Sequence, residues 1–344
     1  MNNCYIIAEA GVNHNGSEEL AIQLVEAASA AQADAVKFQT FKAENVVSKD
    51  AKTAQYQKKQ TGNDNQFAML KKLEISKELH VKLIDKCKQL DIEFLSTPFD
   101  IRSTEFLLEL GMKKIKIPSG ELTNIPFINK LAMFDVPMIL STGMSSLQEV
   151  KNAVDEIKSV RQKNNFNKPL SEVLSILHCT SNYPAHYKDV NLKAMHVMAK
   201  QFTVPVGYSD HTEGIFVSVC SVAMGASIIE KHFTLDKNMP GPDHKASIDP
   251  EELKLMVTQI RSIEQCLGDG VKRPRKSELP VRNLVRRSII LKTDKKANDI
   301  LKLEDITLLR PGNGIPPSDM KKVIGRRLLV ACSAGSMLKW NHLG

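Results

Sequence analysis

Short apolar runs rich in β-branched residues alternate with longer amphipathic stretches up to about residue 265. Each run has the length and composition of a buried strand, and turn residues follow it. The stretches between the runs carry apolar residues at helical spacing. The runs lie at residues 5–8, 35–39, 92–96, 114–117, 136–140, 173–177, 204–207 and 226–229. This alternation predicts eight strand-then-helix units.

Three of the predicted helices begin with clear start signals. Ser17 is an N-cap residue followed by two glutamates, which favour the positive end of a helix. Ser146 has a glutamate three residues later and forms a capping box, and Asp249 precedes a proline at the first helical position. Eight such units predict an α/β protein with a (β/α)8 TIM barrel. An open doubly wound sheet is the alternative, but no Gly-x-Gly-x-x-Gly follows an early strand.

The alternation of predicted strands and helices ends near residue 268. Residues 267–276 are rich in glycine, proline and charge, which is typical of a linker. Beyond about residue 284, short apolar runs at 288–291 and 328–331 are separated by turn-rich segments such as 310–317. We therefore predict a barrel domain at 1–268, a linker at 269–284 and a compact domain at 285–344. A domain of about 60 residues has a marginal core, so we expect it to dock on something larger.

Composition narrows the possible partners. The net charge is +8 with a pI of about 9.0, but no basic stretch alternates with aromatic residues, so nucleic-acid binding is not indicated. A basic rim around an anionic substrate would explain the excess of positive charge at least as well as nucleic-acid binding would. No apolar run reaches the roughly 18 residues that cross a bilayer, so we expect no membrane association.

The first residues and the cysteines indicate the compartment. Residues 1–7 lack a basic region and a cleavage site, so we expect no signal peptide. The six cysteines are scattered, form no Cys-x-x-Cys, and in several cases lie in apolar runs. They are typical of free thiols in a reducing cytoplasm.

Polar residues follow every predicted strand, where a barrel places its active site. Two lysines, several hydroxyls and glycine-rich turns suit a phosphate, which takes charge from lysine and hydrogen bonds from hydroxyl and backbone N–H groups. A lysine within a strand can also be paired for purely structural reasons. In chain order the residues are Glu9, Lys37, Gln39, Ser96, Thr97, Lys116, Ser119, Glu121, Ser141, Thr142, His178, Thr180, Ser181, Tyr183, Ser209, Asp210, His211, Glu230 and His232.

Two histidines, His211 and His232, follow neighbouring strands about twenty residues apart. Imidazoles at adjacent strand ends can share one divalent metal ion. Hydrogen-bonded core histidines would give the same pattern, so spacing leaves both interpretations open. Glu9 lies in an apolar strand and would be costly to bury unless it is paired or functional.

Ten segments in order match one family pattern. They lie at residues 8–16, 36–40, 96–99, 116–121, 141–144, 178–180, 209–211, 230–233, 241–244 and 310–314. One such motif is weak evidence, whereas ten in sequence over nearly the whole length are specific. On these segments the chain resembles the bacterial sialic acid synthases, which include N-acetylneuraminate synthase and N,N'-diacetyllegionaminate synthase.

The resemblance implies a TIM barrel followed by a small domain similar to type III antifreeze protein, the SAF domain. It implies a homodimer formed by domain swapping, in which the small domain of one chain covers the active site of the other. The implied reaction condenses phosphoenolpyruvate with an N-acetylated mannose-type sugar and water. It gives a nine-carbon 2-keto acid for a capsule or other surface polysaccharide, and releases phosphate by C–O cleavage.

The resemblance also assigns roles to residues. His211 and His232 are implied ligands of a divalent metal, Mn²⁺ or Mg²⁺. The candidate catalytic carboxylates are Glu9 and Glu121, and either Glu121 or a metal-bound water would accept the proton of the attacking water. Arg310 in the small domain is expected to reach the sugar's N-acetyl group across the dimer. The implied phosphoenolpyruvate site comprises Lys37, Thr97, Lys116, Ser119, Ser141, Ser181 and Ser209. The implied sugar contacts are Glu9, Gln39, Tyr183 and Asp243.

One departure concerns Ser181, where some family members have asparagine. Asn182 is the alternative residue for that contact with phosphoenolpyruvate. The sugar itself also has two candidates, N-acetylmannosamine, which we take as the first expectation, and 2,4-diacetamido-2,4,6-trideoxymannose. They differ at C4 and C6, and the motifs do not report on those positions.

Three other functions compete with this interpretation. A related barrel that condenses phosphoenolpyruvate with a sugar phosphate would need a second phosphate site and does not account for the C-terminal domain. A Schiff-base aldolase would use Lys37 or Lys116 as its nucleophile. A carbohydrate-binding or ice-binding protein would function through residues 285–344 alone.

Overall fold

The computed structural model describes residues 3–53 and 65–344. The chain divides into two units, Met1–Gly268 and Asp269–Gly344, which are described separately. The strands of the first unit are β1 (Tyr5–Gly11), β2 (Ala35–Thr40), β3 (Glu93–Pro98), β4 (Ile115–Ile117), β5 (Met138–Ser141), β6 (Leu174–Cys179), β7 (Val206–Asp210) and β8 (Ile228–His232). Its helices are α1 (Glu18–Ala30), α2 (Ala43–Val46), α3 (Gln66–Lys72), α4 (Lys77–Gln89), α5 (Ile101–Glu109), α6 (Ile125–Ala132), α7 (Leu147–Lys163), α8 (Leu170–Val173), α9 (Lys193–Phe202), α10 (Phe216–Ala223) and α11 (Pro250–Leu267).

The eight strands form one parallel sheet that curves into a barrel. Their order is β3-β2-β1-β8-β7-β6-β5-β4. Pairing of β1 with β8, in the register Glu9 opposite His232, joins the first strand to the last. Within the described residues, β3 and β4 lie side by side, as β4 and β5 do, but share no ladder pairs. The predicted (β/α)8 fold is confirmed, and an open doubly wound sheet is excluded.

The helix starts follow the sequence signals. The Ser17 side chain accepts a hydrogen bond from the Leu20 N–H, and Ser146 and Asp249 each form a complete capping box. Helices on the outside bury one face against the strands, and every residue of β4, β5, β7 and β8 is buried. Strands covered on both sides need continuous apolar sequence, and polar residues interrupt it mainly near the carboxyl ends.

The second unit has a core of its own. It contains α12 (Leu279–Val285), β9 (Ser288–Leu291), β10 (Ile306–Leu309) and α13 (Met320–Val323), and β9 pairs with β10 in antiparallel fashion. Ile289, Leu291, Leu301 and Leu328 are among its buried apolar residues. The segment 269–284 contains a 3-10 turn at Lys276–Glu278 and most of α12. In the described part of the chain, no helix has the length and apolarity needed to cross a membrane.

Candidate active site

A cavity of about 330 Å³ opens at the carboxyl ends of the barrel strands. All eight strand ends or the loops after them contribute to it, because parallel strands bring their carboxyl ends to one rim. Twelve predicted site residues line it: Glu9, Lys37, Gln39, Thr97, Lys116, Ser119, Ser141, Ser181, Tyr183, Ser209, His211 and His232. The predicted residues, which are far apart in the sequence, therefore lie around one cavity at the carboxyl ends of the strands.

Two buried lysines face each other across this cavity. Lys37 Nζ lies 2.6 Å from Glu9 Oε2 and donates a hydrogen bond of 2.9 Å to Thr97 Oγ1. Lys116 Nζ donates a hydrogen bond of 2.8 Å to Ser141 Oγ. Each ammonium group thus stands beside a hydroxyl group, which is an arrangement suited to the oxygens of phosphate and carboxylate.

Glu230 connects the two lysines. Its carboxylate lies 3.5 Å from Lys37 Nζ and 3.5 Å from Lys116 Nζ, and it accepts a 2.9 Å hydrogen bond from Ser209 Oγ. Sequence reasoning placed Glu230 at the rim but gave it no role. Strand periodicity was the available signal, because Glu230 and His232 are two apart on β8 and therefore face the same side.

Mutual attraction decides which groups of this cluster stay ionised. Burial opposes the charge of Glu230, but Lys116 and Lys37 outweigh it and hold the pKa of Glu230 well below its ordinary range. Burial likewise opposes the charge of Lys37, whose pKa is nevertheless raised by Glu230 and Glu9. For Lys116 burial prevails and lowers the pKa. Burial, with a contribution from Glu230, raises the pKa of Glu9. Glu230 is therefore a fixed negative charge, whereas Glu9 can exchange a proton near neutral pH.

The histidine pair lies beside this cluster. The rings of His211 and His232 have centroids 5.6 Å apart, and Tyr183 packs on His211 at 4.2 Å. His211 Nδ1 donates to the Thr180 carbonyl at 2.8 Å, which leaves Nε2 of the neutral ring with its lone pair. His232 Nδ1 is buried and has no hydrogen-bond partner among the described residues.

The histidine pair fits a divalent metal ion. Burial lowers the pKa of both histidines, and a metal needs the neutral imidazole. The described residues hold no group of three or more His, Cys, Asp or Glu placed to bind a metal. An ion at this pair would therefore have two protein ligands and several positions for water or substrate.

A second ion pair lies behind the histidines. Lys231 Nζ is 3.1 Å from Asp210 Oδ2 and donates a 2.5 Å hydrogen bond to the Thr212 carbonyl. Asp210 also accepts hydrogen bonds from Ser218 Oγ and from the Thr212 N–H. Asp210 and Lys231 are register partners on β7 and β8, and each directly precedes a histidine of the pair. This pair therefore fixes the two strand ends relative to each other.

The cavity wall beside Lys116 is tightly packed. The Gly143 N–H donates to Ser119 Oγ at 2.9 Å, and Ser119 Oγ contacts Cys179 Sγ at 3.2 Å. A Cβ atom on Gly143 would lie 2.1 Å from Ser181 Oγ, closer than any real contact. Glycine is required here by space, because it lets the backbone approach the hydroxyls. Ser181 lines the cavity, whereas Asn182 is not among the lining residues.

A side recess of about 150 Å³ adjoins the main cavity. The two share Gln39, Tyr183 and His232, and the recess also contains Asp243. Burial raises the pKa of Asp243 to about 6. The predicted sugar contacts Gln39, Tyr183 and Asp243 therefore meet in one place.

Two predicted site residues are not part of these cavities. Glu121 belongs to a 3-10 turn, Ser119–Glu121, and its Oε2 accepts a 2.7 Å hydrogen bond from Asn124. It does not line the cavity. Arg310 is exposed in the second unit and takes part in no ion pair with a described residue.

Comparison with known proteins gives a consistent result. Residues 24–272 match the NeuB family and residues 286–344 match the SAF domain. The N,N'-diacetyllegionaminic acid synthase of Legionella pneumophila is 53% identical over 341 residues, which cover 99% of this chain and 94% of that protein. The enzyme of the same name from Campylobacter jejuni is 48% identical, over 95% of this chain and 96% of that protein.

A solved structure supports the same assignment. The N-acetylneuraminic acid (sialic acid) synthetase of Leptospira borgpetersenii is 33% identical, with a TM-score of 0.69 over 81% of this chain and 90% of that one. The predicted resemblance is thereby confirmed, as is the expectation of a synthase. The chain belongs to the NeuB family of sialic acid synthase-type enzymes, and its family segment is followed by a SAF domain.

Proposed function

We propose that this protein is an N,N'-diacetyllegionaminic acid synthase. It would condense phosphoenolpyruvate with 2,4-diacetamido-2,4,6-trideoxymannose and water, giving the nine-carbon keto acid and phosphate. The observation that carries this choice is the 53% identity to the Legionella pneumophila synthase over 99% of the chain. The first expectation was N-acetylmannosamine. The relatives favour the diacetamido sugar, which was the alternative.

The cavity has the charges that phosphoenolpyruvate requires. Two ammonium groups, Lys37 and Lys116, face a single firmly ionised carboxylate, Glu230. A phosphate or carboxylate beside Lys116 would counteract the lowering of its pKa by burial. Hydroxyls of Thr97, Ser119, Ser141, Ser181 and Ser209 surround these groups and supply directed hydrogen bonds. Such fixed donors stabilise charge that develops on the phosphate oxygens as it leaves.

The condensation forms one C–C bond and breaks one C–O bond. C3 of phosphoenolpyruvate attacks the aldehyde carbon of the open-chain sugar, whose oxygen takes up a proton. Positive charge develops at C2, and water adds there and loses a proton. The C2 hydroxyl of this intermediate then gives its proton to the phosphate as the C–O bond breaks, which leaves the C2 keto group and free phosphate. Glu9 is the carboxyl group in the cavity with a raised pKa, so we assign it the proton exchange with the sugar oxygen.

His211 and His232 would hold the divalent ion, Mn²⁺ or Mg²⁺. Such an ion supplies a Lewis acid for the sugar aldehyde when it is bound. The neutral rings and the buried, partnerless Nδ1 of His232 support this role. Tyr183 packs against both rings and limits their rotation, which keeps the two imidazoles in place for one ion.

We further propose a domain-swapped dimer in the cytoplasm. Arg310 of one chain would contact the sugar bound by the barrel of its partner. The exposed position of Arg310 and its lack of an ion pair among the described residues support this role. All six cysteines are free, which fits a reducing compartment.

The test is release of phosphate from phosphoenolpyruvate in the presence of Mn²⁺. The diacetamido sugar and N-acetylmannosamine are compared side by side, with EDTA as a control. We expect EDTA-sensitive release that is much faster with the diacetamido sugar. Faster release with N-acetylmannosamine would overturn the substrate. Inactivation by pyruvate and borohydride would indicate an aldolase instead.

The metal is tested separately by electron paramagnetic resonance of Mn²⁺. We expect His232→Ala to lose the bound signal and the turnover, and exposed His196→Ala to keep both. Binding of Mn²⁺ by His232→Ala with parental affinity would overturn the metal site.

A further inference from the structure

The side recess combines two kinds of surface. Val12, Met69, Leu70 and Leu73 form an apolar wall. Val12, Met69 and Leu73 belong to a separate buried cluster with Phe41, so the wall is held firmly from behind. Gln39 and Asp243 lie at the polar side of the recess.

The polar side has capacity for a ligand. Among the described residues, Gln39 Nε2 donates one hydrogen bond, a long one of 3.4 Å to Glu9 Oε1. The Asp243 carboxylate is buried and makes no ion pair with any described residue. An amide group could accept from Gln39 and donate to Asp243, whereas a methyl group alone would offer a hydrogen bond to neither.

The apolar wall suits one of the two candidate sugars better than the other. N-acetylmannosamine carries hydroxyls at C4 and C6, and a hydroxyl against this wall would lose water without gaining a partner. The diacetamido sugar carries an acetamido group at C4 and a methyl group at C6. An acetamido group has a methyl end for the wall and an amide for the polar side. Its size is suitable, because an apolar cavity of about 150 Å³ in another protein holds benzene.

We propose, resting on the proposed function, that the recess binds the C4 acetamido group of the sugar. Its methyl group packs on Met69, Leu70 and Leu73, and its amide faces Gln39 and Asp243. These residues then determine the specificity of the synthase, while the lysine cluster and the histidine pair serve the chemistry common to both sugars.

The experiment compares three sugars with the intact enzyme. They are 2,4-diacetamido-2,4,6-trideoxymannose, N-acetylmannosamine, and 2-acetamido-2,6-dideoxymannose, which differs from the first only in having a hydroxyl at C4 in place of the acetamido group. Leu70 is half-buried, so Leu70→Phe can fill the recess without overpacking the core, and Leu70→Ser removes apolar contact without adding volume. Ala68→Phe is the control, because Ala68 is an exposed residue of the same helix that does not line the recess.

We expect Leu70→Phe to lower kcat/KM for the diacetamido sugar at least tenfold relative to the other two sugars. Leu70→Ser should lower it in the same direction, and the KM for phosphoenolpyruvate should stay within twofold. Ala68→Phe should behave as the parent. These results would support binding of the C4 substituent in the recess.

Three results would overturn the proposal. An equal loss for all three sugars would place the shared C2 acetamido group in the recess. An equal loss for the two 6-deoxy sugars would place the C6 methyl group there. Unchanged ratios in both Leu70 variants, with parental activity on the diacetamido sugar, would show that the recess takes no part in recognition. Failure of the parent enzyme with every sugar is a separate result, which refutes the proposed function and this assignment with it.

Discussion

Asp210 and Lys231 form an ion pair of 3.1 Å in which neither residue has any exposed surface. The pair joins β7 to β8 directly before the two histidines of the candidate metal site. Removing one partner leaves the other charge buried, which typically costs about 3–5 kcal/mol. We therefore expect Lys231→Met to lower the free energy of unfolding by that order in urea titrations.

The control for this prediction is the double variant Asp210→Asn/Lys231→Met. It removes both charges and keeps the hydrogen-bonding side chain next to Ser218, so most of the lost stability should return. Equal stability of the single and double variants would contradict the buried ion pair. If the ion pair positions the histidines, Mn²⁺ affinity should fall in Lys231→Met and recover in the double variant.

Gly143 provides a test of the packed wall beside Lys116. A Cβ atom there would lie 2.1 Å from Ser181 Oγ and 2.9 Å from Ser119 Oγ, so both hydroxyls must move. We expect Gly143→Ala to lower kcat/KM for phosphoenolpyruvate tenfold or more, equivalent to about 1.4 kcal/mol, with little change in the sugar KM. Steady-state kinetics with each substrate varied in turn measures this. Gly120→Ala is the matched control at the same cavity, since Gly120 also lines it but its Cβ would meet nothing within 4 Å.

Asp243 makes stability depend on pH. Burial raises its pKa to about 6, whereas the unfolded chain keeps a value of about 3.9. Between these values the folded protein binds the proton and the unfolded chain does not. The contribution of Asp243 to stability is therefore fully present below about pH 3.9 and is lost as the pH rises through 6.

Asp243→Asn should remove this dependence. Relative to the parent, the stability of the variant should increase by about 1–2 kcal/mol between pH 5 and pH 8, measured by denaturant unfolding in EDTA. The exposed Asp85→Asn serves as the control and should show no such trend. A constant difference between Asp243→Asn and the parent would mean that Asp243 titrates normally.

Arg310 tests whether the active site is shared between chains. Arg310→Ala should raise the KM for the sugar much more than that for phosphoenolpyruvate. If chains exchange small domains, a mixed dimer of Arg310→Ala and Glu9→Ala contains one complete site. An equal mixture should then regain about a quarter of the parental activity, since half of the dimers are mixed. No recovery in verified mixed dimers, or a similar loss in Arg327→Ala, would argue against this role.

Most of the barrel and its rim could be predicted because both depend on local patterns. The cap residues Ser17, Ser146 and Asp249 have local sequence signals, and the strand periodicity brings Lys37, Lys116 and His232 to one rim. Glu121 was also predicted at the rim cavity but does not line it, because Ser119–Glu121 forms a tight turn and Asn124 donates a hydrogen bond to its carboxylate.

The recess wall could not be predicted. Met69 and Leu70 lie on a short helix of seven residues, α3, in a long excursion after β2, and their pattern there is that of any half-buried helix. Only the folded chain shows that this helix lines the same recess as Asp243 of the loop after β8. The choice between two sugars depends on such long-range contacts, which explains why the motifs left it open.

The charge cluster also links strands that no backbone ladder joins. Lys37 lies on β2, Lys116 on β4 and Glu230 on β8, and none of these three strands pairs with another of them. One carboxylate on β8 therefore fixes the relative positions of two lysines from both halves of the sheet order. An anionic ligand that binds both ammonium groups would make the same connection across the lumen, so it would be held by both halves of the barrel at once.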